Sequence, residues 1–148
     1  MKLSPLALAT VASAAAINRD YAVFEVRNFT ASCVPHSAMC QYSLNAFQPG
    51  TMDTLGYDCT AWGVGGGPGL LPEIKDGTCP PSSRTFDVVR TEGGFNLIVS
   101  VQVSRLSFTR GSHFVPDEQI QVIDGVTPTG NYAAYVGPKD FPLYAYYG

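Results

Sequence analysis

The 148 residues predict an all-β fold, a single antiparallel β-barrel or curled β-sandwich of about eight to ten strands with two disulfides. Three observations point there. Apolar and polar residues alternate with a period of two in several segments, the pattern of strands with one buried face. Tyr and Phe number eight each, and 15 Gly with 11 Pro punctuate the chain; aromatics pack well on pleated sheets, and Gly and Pro set turn dihedrals. The cysteines number four, an even count that suits a disulfide framework.

Residues 1–16 read as a secretory signal peptide. Lys2 gives a short basic start, Leu3 to Ala12 is mostly apolar, and Ala12-Ser13-Ala14 and Ala14-Ala15-Ala16 fit the small-x-small cleavage pattern. The apolar run is too short to span a bilayer. Residues 17–148 are then one β-barrel domain, secreted and extracellular.

In the first strand Ala22, Phe24 and Val26 share a face, and the phase slips before Phe29, so a bulge near Arg27–Asn28 is expected. Cys40, Tyr42, Leu44 and Ala46 alternate with Gln41, Ser43 and Asn45, which suggests an antiparallel partner for that strand. Leu55, Tyr57, Cys59 and Ala61 form a third candidate. Residues 63–72 carry five glycines and two prolines and read as a loop. The clearest hairpin is 85–103, turning at Thr91-Glu92-Gly93-Gly94. Its return strand places Phe95, Leu97, Val99, Val101 and Val103 on one face. A second phase flip, at Leu106 and Phe108, predicts a bulge at Arg105. Shorter strands follow at Gln119 to Asp124, Tyr132 to Val136 and Phe141 to Tyr147, with turns at Asp124-Gly125, Pro128 to Asn131 and Gly137-Pro138.

Four cysteines allow three pairings. Loop lengths favour Cys33–Cys40, around a short Pro-containing loop, and Cys59–Cys79, around the Gly/Pro-rich excursion. A zinc site is poorly supported, since no C-x-x-C occurs and the only histidines are His36 and His113.

The formal net charge is −3, and no Lys/Arg cluster offers a footprint for nucleic acid. The Gly-rich stretch lacks both phosphate-loop patterns, and no cofactor is expected. A hydrolase would need paired acid/base groups. The candidates are Glu25, Glu73, Glu92 and Glu118 with His36 or His113, and none stands in a catalytic motif; both histidines read as exposed. No catalytic residue is assigned.

What remains is recognition. The candidate surfaces are the loops Val34 to Met39, which holds His36, and Gly63 to Pro72, with Trp62 and the C-terminal tyrosines Tyr132, Tyr135, Tyr144 and Tyr146, since exposed aromatics favour interfaces. Asn28-Phe29-Thr30 is a glycosylation sequon, with Asn28 the candidate acceptor.

The run Phe29-Thr30-Ala31-Ser32-Cys33-Val34-Pro35-His36-Ser37, followed by Cys40 and Tyr42-Ser43, resembles the start of small secreted fungal hypersensitive-response-inducing elicitors, exemplified by the rice blast fungus. Tyr135-Val136-Gly137-Pro138-Lys139-Asp140-Phe141 resembles that group too, and more distantly the allergen-type β-barrel proteins of moulds. The resemblance implies an extracellular barrel, without enzymatic chemistry, recognised by a plant cell-surface or apoplastic component and triggering cell death and defence. It also implies the Cys33–Cys40 bridge. No fifth cysteine is available for a disulfide-linked dimer, so a monomer or non-covalent oligomer is expected. The alternatives are a barrel module holding a small apolar ligand or glycan, and a cell-wall-acting hydrolase.

Overall fold

A computed structural model describes residues 17–35, 37–53, 55–66, 70–123 and 131–146. The signal-peptide segment, His36 and the turns within 124–130 lie outside the described residues.

The described strands are β1 (Ile17–Cys33), β2 (Met39–Phe47), β3 (Tyr57–Val64), β4 (Ile74–Thr78), β5 (Thr85–Thr91), β6 (Gly94–Ser104), β7 (Ser107–Pro116), β8 (Ile120–Ile123), β9 (Tyr132–Tyr135) and β10 (Phe141–Tyr146). A 3₁₀ turn at Asp117–Gln119 precedes β8. Strands β1 to β7 pair in chain order, β10 pairs with β7, and β10 also pairs with β1. Eight antiparallel strands therefore close into a barrel. The β8–β9 hairpin lies outside the ring and attaches at Ser32↔Ala134. With 17 residues, β1 is long enough to serve three partners: β10 along its first part, β2 along its second, and β9 near its end.

Alternation builds the interior. Cys40, Tyr42, Leu44 and Ala46 of β2 are buried, as are Phe141, Leu143 and Ala145 of β10. On β1 the phase slips as anticipated. Val26 and Phe29 are both buried, Arg27 and Asn28 between them are exposed, and Asn28 takes φ +56°. The β1–β2 register shifts between Arg27 and Thr30. Phe29 then anchors an aromatic cluster, with ring centroids 4.8 Å from Tyr135, 5.6 Å from Phe141 and 6.3 Å from Tyr42. Each such pair contributes about 0.5–1.5 kcal/mol beyond simple burial. The buried Tyr42 hydroxyl donates to the Pro72 carbonyl at 2.7 Å, so its polar end is satisfied.

Both disulfides pair as the loop lengths favoured, Cys33 with Cys40 and Cys59 with Cys79. The second sits at the barrel's thinnest seam. Strands β3 and β4 share a single paired position, Thr60↔Thr78, beside the bridged cysteines.

Four expectations need correction. Arg105 is no bulge. The chain reverses there, Ser104 pairs with Ser107, and the two hydroxyls lie 2.6 Å apart. Leu106 at the tip is 95% exposed. Strand β4 was missed because Ile-Lys-Asp-Gly-Thr shows no alternation; Asp76 sits at φ +58°, and Gly77 lies under Phe86, where a Cβ would stand 2.4 Å from a ring carbon. Leu55 is exposed and precedes β3, and Val103 overshoots the core into solvent. His113 is half-buried rather than exposed, stacked on Phe141 with centroids 3.9 Å apart.

Candidate functional site

The two cysteine-rich ends of β1 and β2 meet a tight connection. The Val34 amide donates to the Met39 carbonyl at 2.8 Å, the Ser37 amide to the Val34 carbonyl at 3.1 Å, and the Met39 amide to Ser37 Oγ at 3.0 Å. The Gly-rich segment after β3 is clamped onto this turn, where the Gly65 amide donates to the Ala38 carbonyl at 2.6 Å. Glycine permits that approach. A Cβ at Gly65 would lie 3.0 Å from Cys40 Sγ and 3.3 Å from the Leu70 carbonyl oxygen.

Across from the disulfide stands the extra hairpin. Val122 of β8 with Tyr132 and Ala133 of β9 forms the facing wall of a cleft of about 360 Å³, whose near wall is Cys33, Val34 and Gly65. The described lining carries no charged side chain. Val34 and Val122 in the lining are exposed. Exposed Met39 pairs with exposed Val64 across β2 and β3, and Val64 and Leu70 line a separate groove with Glu73 and Arg90.

The recognition candidates from sequence divide. Tyr132 lines the cleft. Trp62 lies two residues before Val64 on β3, 53% exposed, over a second groove of about 350 Å³ that includes Glu73, Lys75 and Asp76. Tyr144 and Tyr146 are half-buried on β10, opposite Ser112 of β7 and Ile17 of β1. Tyr135 is a correction: it is 8% exposed, packs edge-on to Phe29 and donates its hydroxyl to the Pro138 carbonyl, and burial pushes its pKa up. It belongs to the core. His36 lies outside the described residues. Asn28 is exposed, and its backbone amide donates to Asp140 Oδ1 at 3.0 Å.

The loops Val34 to Met39 and Gly63 to Pro72, singled out from sequence, contain Val34, Met39, Val64 and Leu70; sequence reasoning missed Val122. Met39 and Val64 are picked out further by phase, because they occupy the outward positions of strands whose inward phase is already apolar.

The acid/base candidates sit on separate elements. Glu25 is on β1, Glu92 in the β5–β6 turn, Glu118 in the 3₁₀ turn and His113 on β7. Glu73 accepts the Arg90 backbone amide at 2.8 Å. Among the described residues, no three His, Cys, Asp or Glu side chains are grouped to hold a metal ion. No helix among them is long and apolar enough to cross a membrane.

No known protein family matches the chain, and no curated protein matches it. Among solved structures, the chain is similar to the major allergen Alt a 1 of Alternaria alternata. The match has 16% identity and a TM-score of 0.49, and covers 85% of this chain and 93% of that one.

Proposed function

We propose that this chain is a secreted fungal effector or elicitor whose apolar face around the Cys33–Cys40 bridge is bound non-covalently by a plant cell-surface or apoplastic component, with cell death and defence as the response. The observation that carries the reading is the meeting of exposed Val34, from the β1–β2 turn, and exposed Val122, from β8, in one cleft without a charged side chain. Contiguous apolar surface of this kind marks interaction sites. Two disulfides suit an oxidising, extracellular setting. The sequence around Cys33 and Cys40 resembles elicitors, and recognition requires no reaction at the surface.

Leaf infiltration tests it. The double variant Val34→Asp, Val122→Asp alters two exposed positions and should fold, yet lose the response. A variant carrying His36→Ala, Glu92→Ala, His113→Phe and Glu118→Ala, with the ring stack on Phe141 preserved, should keep it. Both outcomes reversed, in proteins of matched circular dichroism, would move the reading to an enzyme.

The cleft itself favours a second reading. Its volume and uncharged lining suit a small apolar ligand. Native mass spectrometry of the secreted protein would reveal one as a bound mass released by Tyr132→Asp.

A further inference from the structure

We propose that Asn28 carries an N-linked glycan, an inference that rests on the chain being exported.

The first ground is local shape. The sequon Asn28-Phe29-Thr30 straddles the β1 bulge. In an uninterrupted strand Asn28 would share the face of Phe24 and Val26 and point into the core. The extra residue at the bulge turns it out, so Asn28 and Thr30 are exposed while Phe29 between them is fully buried. Asn28 holds φ +56°, a left-handed conformation that asparagine tolerates better than most residues. A glycan on its side-chain nitrogen projects into solvent and displaces nothing from the interior.

The second ground is timing. The bulge is docked by the turn before β10. The Asn28 amide donates to Asp140 Oδ1, 112 residues away, and the Phe29 amide donates to the Lys139 carbonyl. The strand that closes the barrel against β1 is β10, the last of the described strands. At about 5–20 residues per second, those 112 residues take roughly 6–22 s to synthesise. Throughout that interval the sequon lacks the partners that lock it, and it stays open to the transferase.

The donor is a polyprenyl-pyrophosphate-linked oligosaccharide of the secretory pathway. The Asn28 Nδ2 forms a bond to the anomeric carbon, and the carbon–oxygen bond to pyrophosphate breaks. The bonding pair leaves with the pyrophosphate, and one amide proton goes to the transferase's base. The product hangs beside Lys139 and Asp140. It lies five residues up β1 from Cys33, about 17 Å along the strand, and leaves the cleft open.

The test expresses the full chain in a yeast, in one arm with its own residues 1–16 and in another with the host's secretion signal in their place. Chains protected inside the secretory membranes are analysed by mass. We expect a heavier species that peptide:N-glycosidase collapses, leaving aspartate at position 28. Thr30→Ala, which spares the left-handed residue, should abolish the added mass, and Thr30→Ser should restore it. Unmodified Asn28 in translocated chains of the host-signal arm would overturn the proposal. Failure of the native-leader arm alone, with a glycan present in the other, would overturn the export reading and leave the glycan standing.

Discussion

Arg84 and Asp53 face each other at 2.8 Å, with only 6% and 17% of their side chains exposed. Arg84 Nη1 also donates to the Ala46 carbonyl at 3.0 Å, Nη2 donates to Gln48 Oε1 at 3.1 Å, and the guanidinium lies 4.9 Å from the Tyr57 ring centroid. Asp53 in turn accepts the Gln48 and Gly56 amides at 3.1 and 3.0 Å. One ion pair thus ties the β2–β3 connection to the segment leading into β5.

Removing Asp53 strands a buried cation. Asp53→Ala should cost about 3 kcal/mol, because the guanidinium keeps its desolvation cost and loses its counter-charge. Arg84→Met should cost less, since Asp53 retains two amide donors and sits nearer water. Urea denaturation of the two variants measures the order. A larger loss for Arg84→Met would show that the stem's packing outweighs the charge.

Acid should weaken the barrel in two stages. His113 is pushed below its ordinary 6.5 by burial against Phe141. The unfolded chain therefore takes up this proton more readily, so the stability associated with neutral His113 is full above 6.5 and falls away as pH drops below it. For Asp53, burial alone would raise the carboxyl, but the Gln48 and Gly56 amides and Arg84 more than offset it and hold the pKa below 3.8. Its contribution is full above 3.8 and is lost as pH falls further. Thermal midpoints followed from pH 8 to 2 should decline in both windows. His113→Phe should remove the first decline only, and a flat profile between pH 7 and 5 in the parent protein would refute the assignment.

The two bridges should differ in worth. Chain entropy assigns about 2.4 kcal/mol to closing the seven-residue Cys33–Cys40 separation and about 3.3 kcal/mol to the twenty of Cys59–Cys79. Beside the first, β1 and β2 pair without a break from Thr30↔Ser43 to Cys33↔Cys40, whereas β3 and β4 share one paired position. Replacing Cys59 and Cys79 together by Ala should therefore accelerate amide exchange across β3 and β4. The Cys33/Cys40 double variant should confine the change to the turn. Equal exchange patterns would contradict the seam.

Neighbouring positions on β6 should respond oppositely to one charge. Val99 is fully buried, and Val99→Asp would place an unpaired carboxylate in the core and prevent folding. Ser100 is half-buried and stands opposite Arg110 on β7, so Ser100→Asp gains a cross-strand counter-charge and should express normally. Comparable soluble yields from both would mean that the inward face is misassigned.

Much of the barrel was legible because alternation reports faces. The inward set of β2, the Glu92-Gly93 turn, the three C-terminal strands and the β1 bulge all follow from it. Alternation does not report partners, so closure of β10 on β1 and the docking of β9 at Ser32 were out of reach. It is also blind to the cause of a phase slip. At Asn28 the slip is a bulge, and at Arg105 it is a reversal built without Gly, Pro, Asn or Asp, with an apolar Leu106 at its tip. The site was half legible. The cysteine turn and the Gly-rich segment were singled out, but tyrosine content drew notice to Tyr135, a core residue. Val34 and Val122, the exposed aliphatics that line the cleft, lie far apart in the chain, and only the fold gathers them.

The seam between β3 and β4 makes the molecule's shape a function of its redox surroundings. Oxidised, the eight-strand ring is closed, and among the described strands β8 of the attached hairpin keeps a free edge. With the Cys59–Cys79 sulfurs reduced, one ladder pair and the core contacts are left between β3 and β4, and parting there would free an edge on each. Free strand edges recruit strands from other molecules. The same sulfur link that fastens the barrel thus also keeps the edges of β3 and β4 covered.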